Sequence, residues 1–441
     1  MLVNNHFFNL LRMFHIFRSN RLIHAGLTHQ LPAFVESREV DVAISPKGLV
    51  AEVIVVVRLG TRRQSLPFVL HPSLVIDSVE DGQSGEQLLF RQQLGSDPYI
   101  FFRITAVEVF LPLSLAENQI IILKFRYSGN PSQAIFPGTR WGIEPSSAVL
   151  KDEMAWYPFL GSSLVEELSL QVFSGTTTVR TPTQWSSLAS CGVERSNGLI
   201  GKVGGLTVVG QEMEISDESI LNYRVLKGIT QKTRSNVDVH GLFDPAFEDV
   251  LSFYHDLCPI PYKTLGVVEI NRQMGNFNSG GLLALDPIVL GSNGRRNTVY
   301  NNLAHEMAHY YFGGAMKVKD SRLLFLMEGM PEFLTIPVAH EFKVKPKRLM
   351  YLFRQDWRRF GRNRKLRTIN PLSPLQFSLC RSYPALVFNS WMEEVGRETF
   401  LQWVGLLAEV GVRESLLTMS LFLETMHEVF GSKATMFARK I

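Results

Sequence analysis

The sequence predicts an α+β protein of more than one domain, with a β-rich first half and a mainly helical second half. Three observations carry this. Residues 36–235 hold a series of short runs of alternating or continuous apolar character, divided by Gly, Pro, Asn and Ser clusters. From about residue 236 the apolar spacing changes to the three-and-four step of helices. A chain of 441 residues also has material for two or three domains with large cores.

Residues 1–35 read as an N-terminal extension. Phe7, Phe8, Leu10, Leu11, Phe14 and Phe17 are apolar, while Asn9, Arg12, His15 and Arg18 recur as a polar stripe. Such a segment is an amphipathic helix on a membrane surface, a helix packed on the body of the protein, or an extension with no fixed structure. Arg12, His15 and Arg18 break any secretory apolar core. From 36 to 235, strand-like runs include Val40–Ile44, Val50–Leu59, Ser73–Val79, Tyr99–Ile104, Val107–Leu113, Ile120–Tyr127, Leu168–Phe173 and Leu206–Val209. They do not alternate with helices, which suggests an antiparallel sandwich or saddle. In residues 236–441, Phe247–Leu257 reads as helix and Leu265–Ile270 as a short strand. A Gly/Asn-rich loop, Gly275–Gly281, and a second short strand, Leu282–Leu285, precede the helices that dominate from Tyr300 onward.

The helix read over Tyr300–Gly313 carries His305-Glu306-Met307-Ala308-His309. Two imidazoles four residues apart lie on one helical face and converge on one point. Eighteen residues separate His309 from Glu328, which stands in Leu326-Met327-Glu328-Gly329-Met330-Pro331-Glu332 on a second helical run, Leu323–Val338. A carboxylate from there can complete a three-ligand metal site and leave a fourth position open, an arrangement that suits zinc hydrolysis better than structural zinc. Glu306 projects from the same helix between the two histidines, within reach of a water at that position.

This constellation resembles the gluzincin zinc aminopeptidases, the aminopeptidase N and leukotriene hydrolase family. The resemblance implies that His305, His309 and Glu328 bind one Zn2+ per chain and that Glu306 is the general base. Glu332 matches the second acid of the family's E-G-x-x-E run and reads as an orienting group behind the ligands, or as an ordinary exposed helix acid. The order of elements resembles a thermolysin-like catalytic domain over 236–441. The Leu-x-Phe-x-Tyr-Ser-Gly run ending at Gly129 resembles the family's N-terminal β-domain. The family often continues into a long helical C-terminal domain. The end at Ile441 implies its absence and a cleft open on one side.

Two departures bear on substrate. The family places a Gly-Ala-Met-Glu-Asn segment before the zinc helix, with its Glu holding the substrate's free amine. Here Gly275-Asn276-Phe277-Asn278-Ser279-Gly280-Gly281-Leu282 takes that place, and Asn278 stands where the Glu belongs. Asn accepts a hydrogen bond but offers no charge to an ammonium. Glu269 is a nearby alternative. Asn278, Gly280 and Gly281 form a candidate substrate-binding segment, able to admit a peptide as an added strand, or a plain connector. The family's oxyanion-stabilising Tyr is represented by Tyr383, without the Lys-Gly that follows it in the family. The expected activity is therefore that of a zinc metallopeptidase, aminopeptidase-like. An endopeptidase of the same fold or a catalytically weak peptide-binding protein are the alternatives.

Composition fits this reading. Hydrophobic residues make 45% and charged residues 20%, ordinary globular values, and the net charge of +4 does not by itself argue for nucleic acid. No nucleic-acid motif is present, so a peptide is the expected partner. Cys191, Cys258 and Cys380 are odd in number and scattered, which fits a reducing, cytoplasmic location. Residues 343–367 hold eleven Lys or Arg and one acid, Asp356. This run is a solvated face, or a basic rim that steers acidic substrates or meets anionic lipid. With residues 6–18 it offers a route to peripheral membrane contact.

Overall fold

Alternation in the first half produces three sheets, because each strand buries one face and leaves the other to water. The computed structural model describes residues 33–96, 103–136, 139–161, 175–190, 197–200, 206–236, 239–270, 276–290, 296–318, 320–345, 365–366, 377–414, 416–439 and 441. The stripe at 6–18, the run Leu168–Phe173, Cys191 and most of 343–367 lie outside them.

The first sheet runs in the order Asn197–Ile200, Gly175–Arg180, Ala33–Ser45, Gly48–Leu59, Ile120–Gly129, Leu74–Asp81. The second runs Phe159–Leu160, Arg63–Leu70, Arg103–Leu115, Phe90–Ser96. Val53, Val55, Leu123 and Phe125 of the first share one core with Leu66, Phe68, Val107 and Val109 of the second. Phe68 meets Phe125 edge-on at 5.0 Å. The first region is therefore β-rich as expected, with two sheets sharing one core, and with one departure from antiparallel pairing: Arg38–Ala43 pairs in parallel with Gly175–Arg180. Alternation fixes which face is buried and carries no record of partner direction.

A third sheet, in the order Ser186–Ala189, Val208–Gln211, Ser147–Leu150, Thr139–Glu144, Ser132–Phe136, joins the two halves of the chain. Its Val149, Leu188 and Val209 pack on Leu226, Val268, Phe277 and Ala284 of the sheet that follows. That sheet runs Glu214–Ile220, Tyr223–Ile229, Thr264–Glu269, Leu282–Leu285, Phe277–Ser279. Its first two strands fall inside the span 36–235 assigned from sequence to the β-rich domain. Parallel pairing of Arg224–Gly228 with Thr264–Val268 makes them part of the same sheet as the strands that precede the histidine-bearing helix. A hairpin reads the same in the sequence whichever sheet it joins.

Six helices position the candidate site: α1 (Asp244–Leu257), α2 (Arg296–Ala308), α3 (Leu326–Glu341), α4 (Phe377–Val395), α5 (Arg397–Glu414) and α6 (Met419–Phe430). Gly329 and Pro331 do not interrupt α3. Behind it, Phe333, Phe388, Phe400 and Trp403 interlock, with Phe333 and Phe400 edge-on at 5.0 Å. α2 is buried on nearly every side, including Val299, Leu303, Ala304 and Met307, as expected of a helix through the middle of a domain. The hydroxyl of Tyr254 on α1 donates to the Ala304 carbonyl at 2.5 Å and ties the two helices together.

Candidate metal centre

The helix that carries the two histidines starts at Arg296, earlier than its apolar spacing indicates, and ends at Ala308. His309 lies in the tighter turn beyond, where its N–H reaches back three residues to the Glu306 carbonyl at 3.2 Å. The imidazoles still converge, with ring centroids 5.1 Å apart. Gly314 lets the chain fold back here: a Cβ on it would stand 2.1 Å from the His309 carbonyl oxygen.

Ligand atoms of His305, His309 and Glu328 all lie within 4.8 Å of one another. His305 Nε2 is 3.6 Å from Glu328 Oε2, and His309 Nε2 is 4.0 Å from Glu328 Oε1. Both rings are held from behind. His309 Nδ1 lies 2.8 Å from the Phe312 carbonyl, which can only accept, so Nδ1 carries the proton and Nε2 offers its lone pair. His305 Nδ1 faces Glu332 Oε2 at 2.9 Å. That contact is out of line for a full hydrogen bond, so charge and proximity do most of the holding. Glu332 is 5% exposed and lies behind the ligands, as an orienting group would, and is not a solvated helix acid.

The second cation of the site is one the sequence reading passed over. Arg381, on α4, donates from Nε to Glu328 Oε2 at 2.9 Å, and its Nη2 lies 3.2 Å from His305 Nε2. Burial opposes its charge, but Glu328, Glu332 and Glu306 outweigh burial and hold the guanidinium more firmly protonated than usual. Burial likewise pushes the Glu328 carboxyl up, yet Arg381 and the two imidazoles win and hold it well below the ordinary range. A signal for Arg381 existed. It shares a helical face with buried Pro384, Ala385 and Phe388, and a charge on a buried face requires a partner.

Tyr383 is 3% exposed and belongs to the hydrophobic core cluster. Tyr383 follows Arg381 by two residues, a rotation of about 200° along the helix. Asn278 does meet the site: its Nδ2 donates to the Glu306 carbonyl at 2.9 Å. Its Oδ1 is buried with no hydrogen-bond partner among the described residues. Phe277–Ser279 is a strand at the end of its sheet, paired with Leu282–Leu285. Gly280 and Gly281 make the two-residue turn between them, at φ 51 and 88, a conformation glycine adopts freely. Glu269 is not an amine clamp. Its carboxylate accepts from the Thr230 N–H and hydroxyl at 2.9 and 2.8 Å and from the Thr233 hydroxyl at 2.8 Å.

Two imidazole nitrogens and a carboxylate suit zinc. Among the described residues, the Glu306, Glu328 and Glu332 carboxylates cluster around the Arg381 guanidinium, and such a concentration of carboxylates suits a divalent cation.

No family model and no curated protein matches the chain. Solved structures do, at low identity. A mutant M1 zinc metallopeptidase from Deinococcus radiodurans bound to a Tyr-Ser-Ala substrate is 15% identical, with a TM-score of 0.70 over 92% of this chain and 93% of that one. The M1 zinc metallopeptidase of Deinococcus radiodurans is 16% identical, with a TM-score of 0.67 over 93% and 94%. A mutant two-domain M1 zinc metallopeptidase bound to L-tryptophan is 15% identical, with a TM-score of 0.70 over 93% and 94%. The chain thus has the fold of a two-domain M1 metallopeptidase, β-rich first and helical later.

Proposed function

We propose that this protein is a zinc-dependent metallopeptidase, aminopeptidase-like, with His305, His309 and Glu328 as ligands of one Zn2+ and Glu306 as general base. The observation that carries this is the convergence of three ligand atoms within 4.8 Å, with both histidines turned so that Nε2 faces Glu328. Likeness in fold to M1 zinc metallopeptidases, one of them bound to a Tyr-Ser-Ala substrate, supports a peptide substrate. Zinc held there would polarise a scissile carbonyl and lower the pKa of a bound water. Glu306 takes the proton from the attacking water and passes it to the leaving amine, the usual work of a positioned carboxylate. Glu332 and the Phe312 carbonyl keep the imidazoles aimed throughout. Asn278, Gly280 and Gly281 form the substrate-binding segment, with the strand Phe277–Ser279, at the end of its sheet, pairing with a peptide laid along it.

Asn278 brings no charge to an ammonium, and this favours a second reading within the same chemistry, an endopeptidase indifferent to the substrate's N-terminus. Zinc-loaded protein incubated with free and N-acetylated peptides, beside Glu306→Gln, separates the readings. Cleavage of free peptides alone makes it an aminopeptidase, and equal cleavage of both makes it an endopeptidase. Wild type matching Glu306→Gln on every peptide, with zinc bound to both, refutes the peptidase. The division into residues 36–235 and 236–441 is carried forward as part of this proposal. No helix among the described residues is long and apolar enough to cross a membrane. Membrane contact through residues 6–18 or 343–367 and a cytoplasmic location belong to the proposal.

A further inference from the structure

The strand Phe277–Ser279 turns its two faces to different parts of the molecule. Alternation sends Asn278 one way and Phe277 and Ser279 the other. Asn278 donates from Nδ2 to the Glu306 carbonyl at 2.9 Å, on the side of the candidate metal centre. Behind the strand lies the third sheet with the segments that flank it. The Thr207 hydroxyl donates to Ser279 Oγ at 2.9 Å. The Phe277 ring packs against Trp141, with centroids 6.1 Å apart and the planes at 67°. Lys151 reaches into the angle between these rings, with Nζ 4.5 Å from the Trp141 centroid and 4.8 Å from that of Phe277. Lys151 is 9% exposed. It follows Ser147–Leu150, and Trp141 stands on the neighbouring strand Thr139–Glu144.

We propose that Lys151 is a positioning residue for substrate: its ammonium, held over the rings of Trp141 and Phe277, fixes the strand Phe277–Ser279 where a peptide pairs with it. The inference rests on the substrate-binding role given to that strand above and names the device that holds it. An ammonium is drawn to the negative face of an aromatic ring, and more strongly where water is excluded. Phe277 provides one of the two faces, so a shift of the strand withdraws a ring from a buried charge. The strand is three residues long and stands at the end of its sheet, paired with Leu282–Leu285. Lys151 supplies the rigidity that so short an end strand lacks. A strand held in place beforehand costs less to order when a peptide is laid against it. The reacting groups are carried separately, by α2, the turn after it and α3, so the contact acts on binding more than on chemistry.

The test uses the zinc-loaded protein as wild type, Lys151→Met, Lys151→Arg and Trp141→Leu. Two quantities are read. One is backbone hydrogen exchange over residues 277–285, with Gly48–Leu59 as the reference strand. The other is KM and kcat on free and N-acetylated Tyr-Ser-Ala. Lys151→Met keeps the reach of the side chain and loses the charge. It is expected to speed exchange at 277–285 roughly ten-fold or more relative to the reference and to raise KM by a similar factor, the worth of a desolvated cation–π contact. Its kcat should stay within about two-fold of wild type. Lys151→Arg keeps a cation over the rings and is expected to restore both values. Trp141→Leu removes one ring face and is expected to move both in the direction of Lys151→Met, and it decides alone if that variant fails to fold. Folded Lys151→Met with wild-type exchange at 277–285 overturns the proposal. So does faster exchange with an unchanged KM, and so does equal acceleration in the reference strand, which would make Lys151 a support of the fold alone. Wild type that cleaves neither peptide overturns the reading on which the proposal rests, an outcome distinct from cleavage with equal KM in all four proteins.

Discussion

Replacing Glu332 separates charge from orientation at the candidate metal centre. Its carboxylate is buried against His305 Nδ1 at 2.9 Å, with the two side chains 7% and 8% exposed. Glu332→Gln preserves volume and an acceptor oxygen but removes the charge. Glu332→Leu removes both, and with them the charge and the close contact that hold the Nδ1 side of the ring. Loss of an orienting partner behind a ligating histidine lowers metal affinity by about 10–100-fold. Zn2+ affinity, read by competition with a chromophoric chelator, should therefore fall in two steps. The step from wild type to Gln reports the charge, since Glu332 is one of the three carboxylates that hold the Arg381 guanidinium protonated. The step from Gln to Leu reports the aim of the ring. Three folded proteins of equal affinity would show that Glu332 neither charges nor orients the site.

Other expectations follow from individual contacts. Gly314→Ala should cost at least about 2 kcal/mol in urea unfolding and weaken Zn2+ binding, because its Cβ would meet the His309 carbonyl at 2.1 Å. Gly95→Ala, whose Cβ would meet nothing closer than the Ile104 carbonyl oxygen at 3.9 Å, is the control, and equal losses in the two would refute the clash. Tyr383→Phe should leave kcat within a few-fold of wild type, since the ring lies in the core. A hundred-fold loss at unchanged stability would place its hydroxyl at the reacting carbonyl. In the β-rich half, burial lowers the His71 pKa from 6.5 to about 4. The unfolded chain takes up the proton below pH 6.5, while the folded chain resists until about pH 4, so stability is lost as pH falls across that window. At 1.36 kcal/mol per unit, the loss approaches 3 kcal/mol by pH 4. Urea midpoints at pH 7, 5.5 and 4.5 should show a slope that His71→Asn flattens, and an unchanged slope would acquit His71.

The fold was legible where burial is one-sided. Gly48–Leu59 alternates down its whole length, with Val53, Val55 and Val57 fully buried, and the sequence pattern placed it to within two residues. It could not say which strand pairs with which. The parallel neighbour of Arg38–Ala43 and the hairpin Glu214–Ile229 both escaped, because side-chain period records the face and not the partner. The helices were found in place and missed at their ends. Arg296–Thr298 begin α2 without an apolar stripe, since a helix buried on nearly all sides has no stripe to show.

The site shows how far a motif reaches. His305, Glu306, His309 and Glu328 were legible because helical spacing itself aims them, and Glu332 followed one turn after Glu328. Arg381 depends on something the linear sequence does not display, the rotation of α4 against α3. A helix turns about 100° per residue, so spacing along the chain does not tell which side chain of α4 faces Glu328. Arg381 donates to Glu328 at 2.9 Å, and Tyr383 belongs to the core. That Arg381 has an acid for a partner follows from charge alone, because a cation among apolar neighbours has to be answered by an anion; which acid it is follows only from the fold.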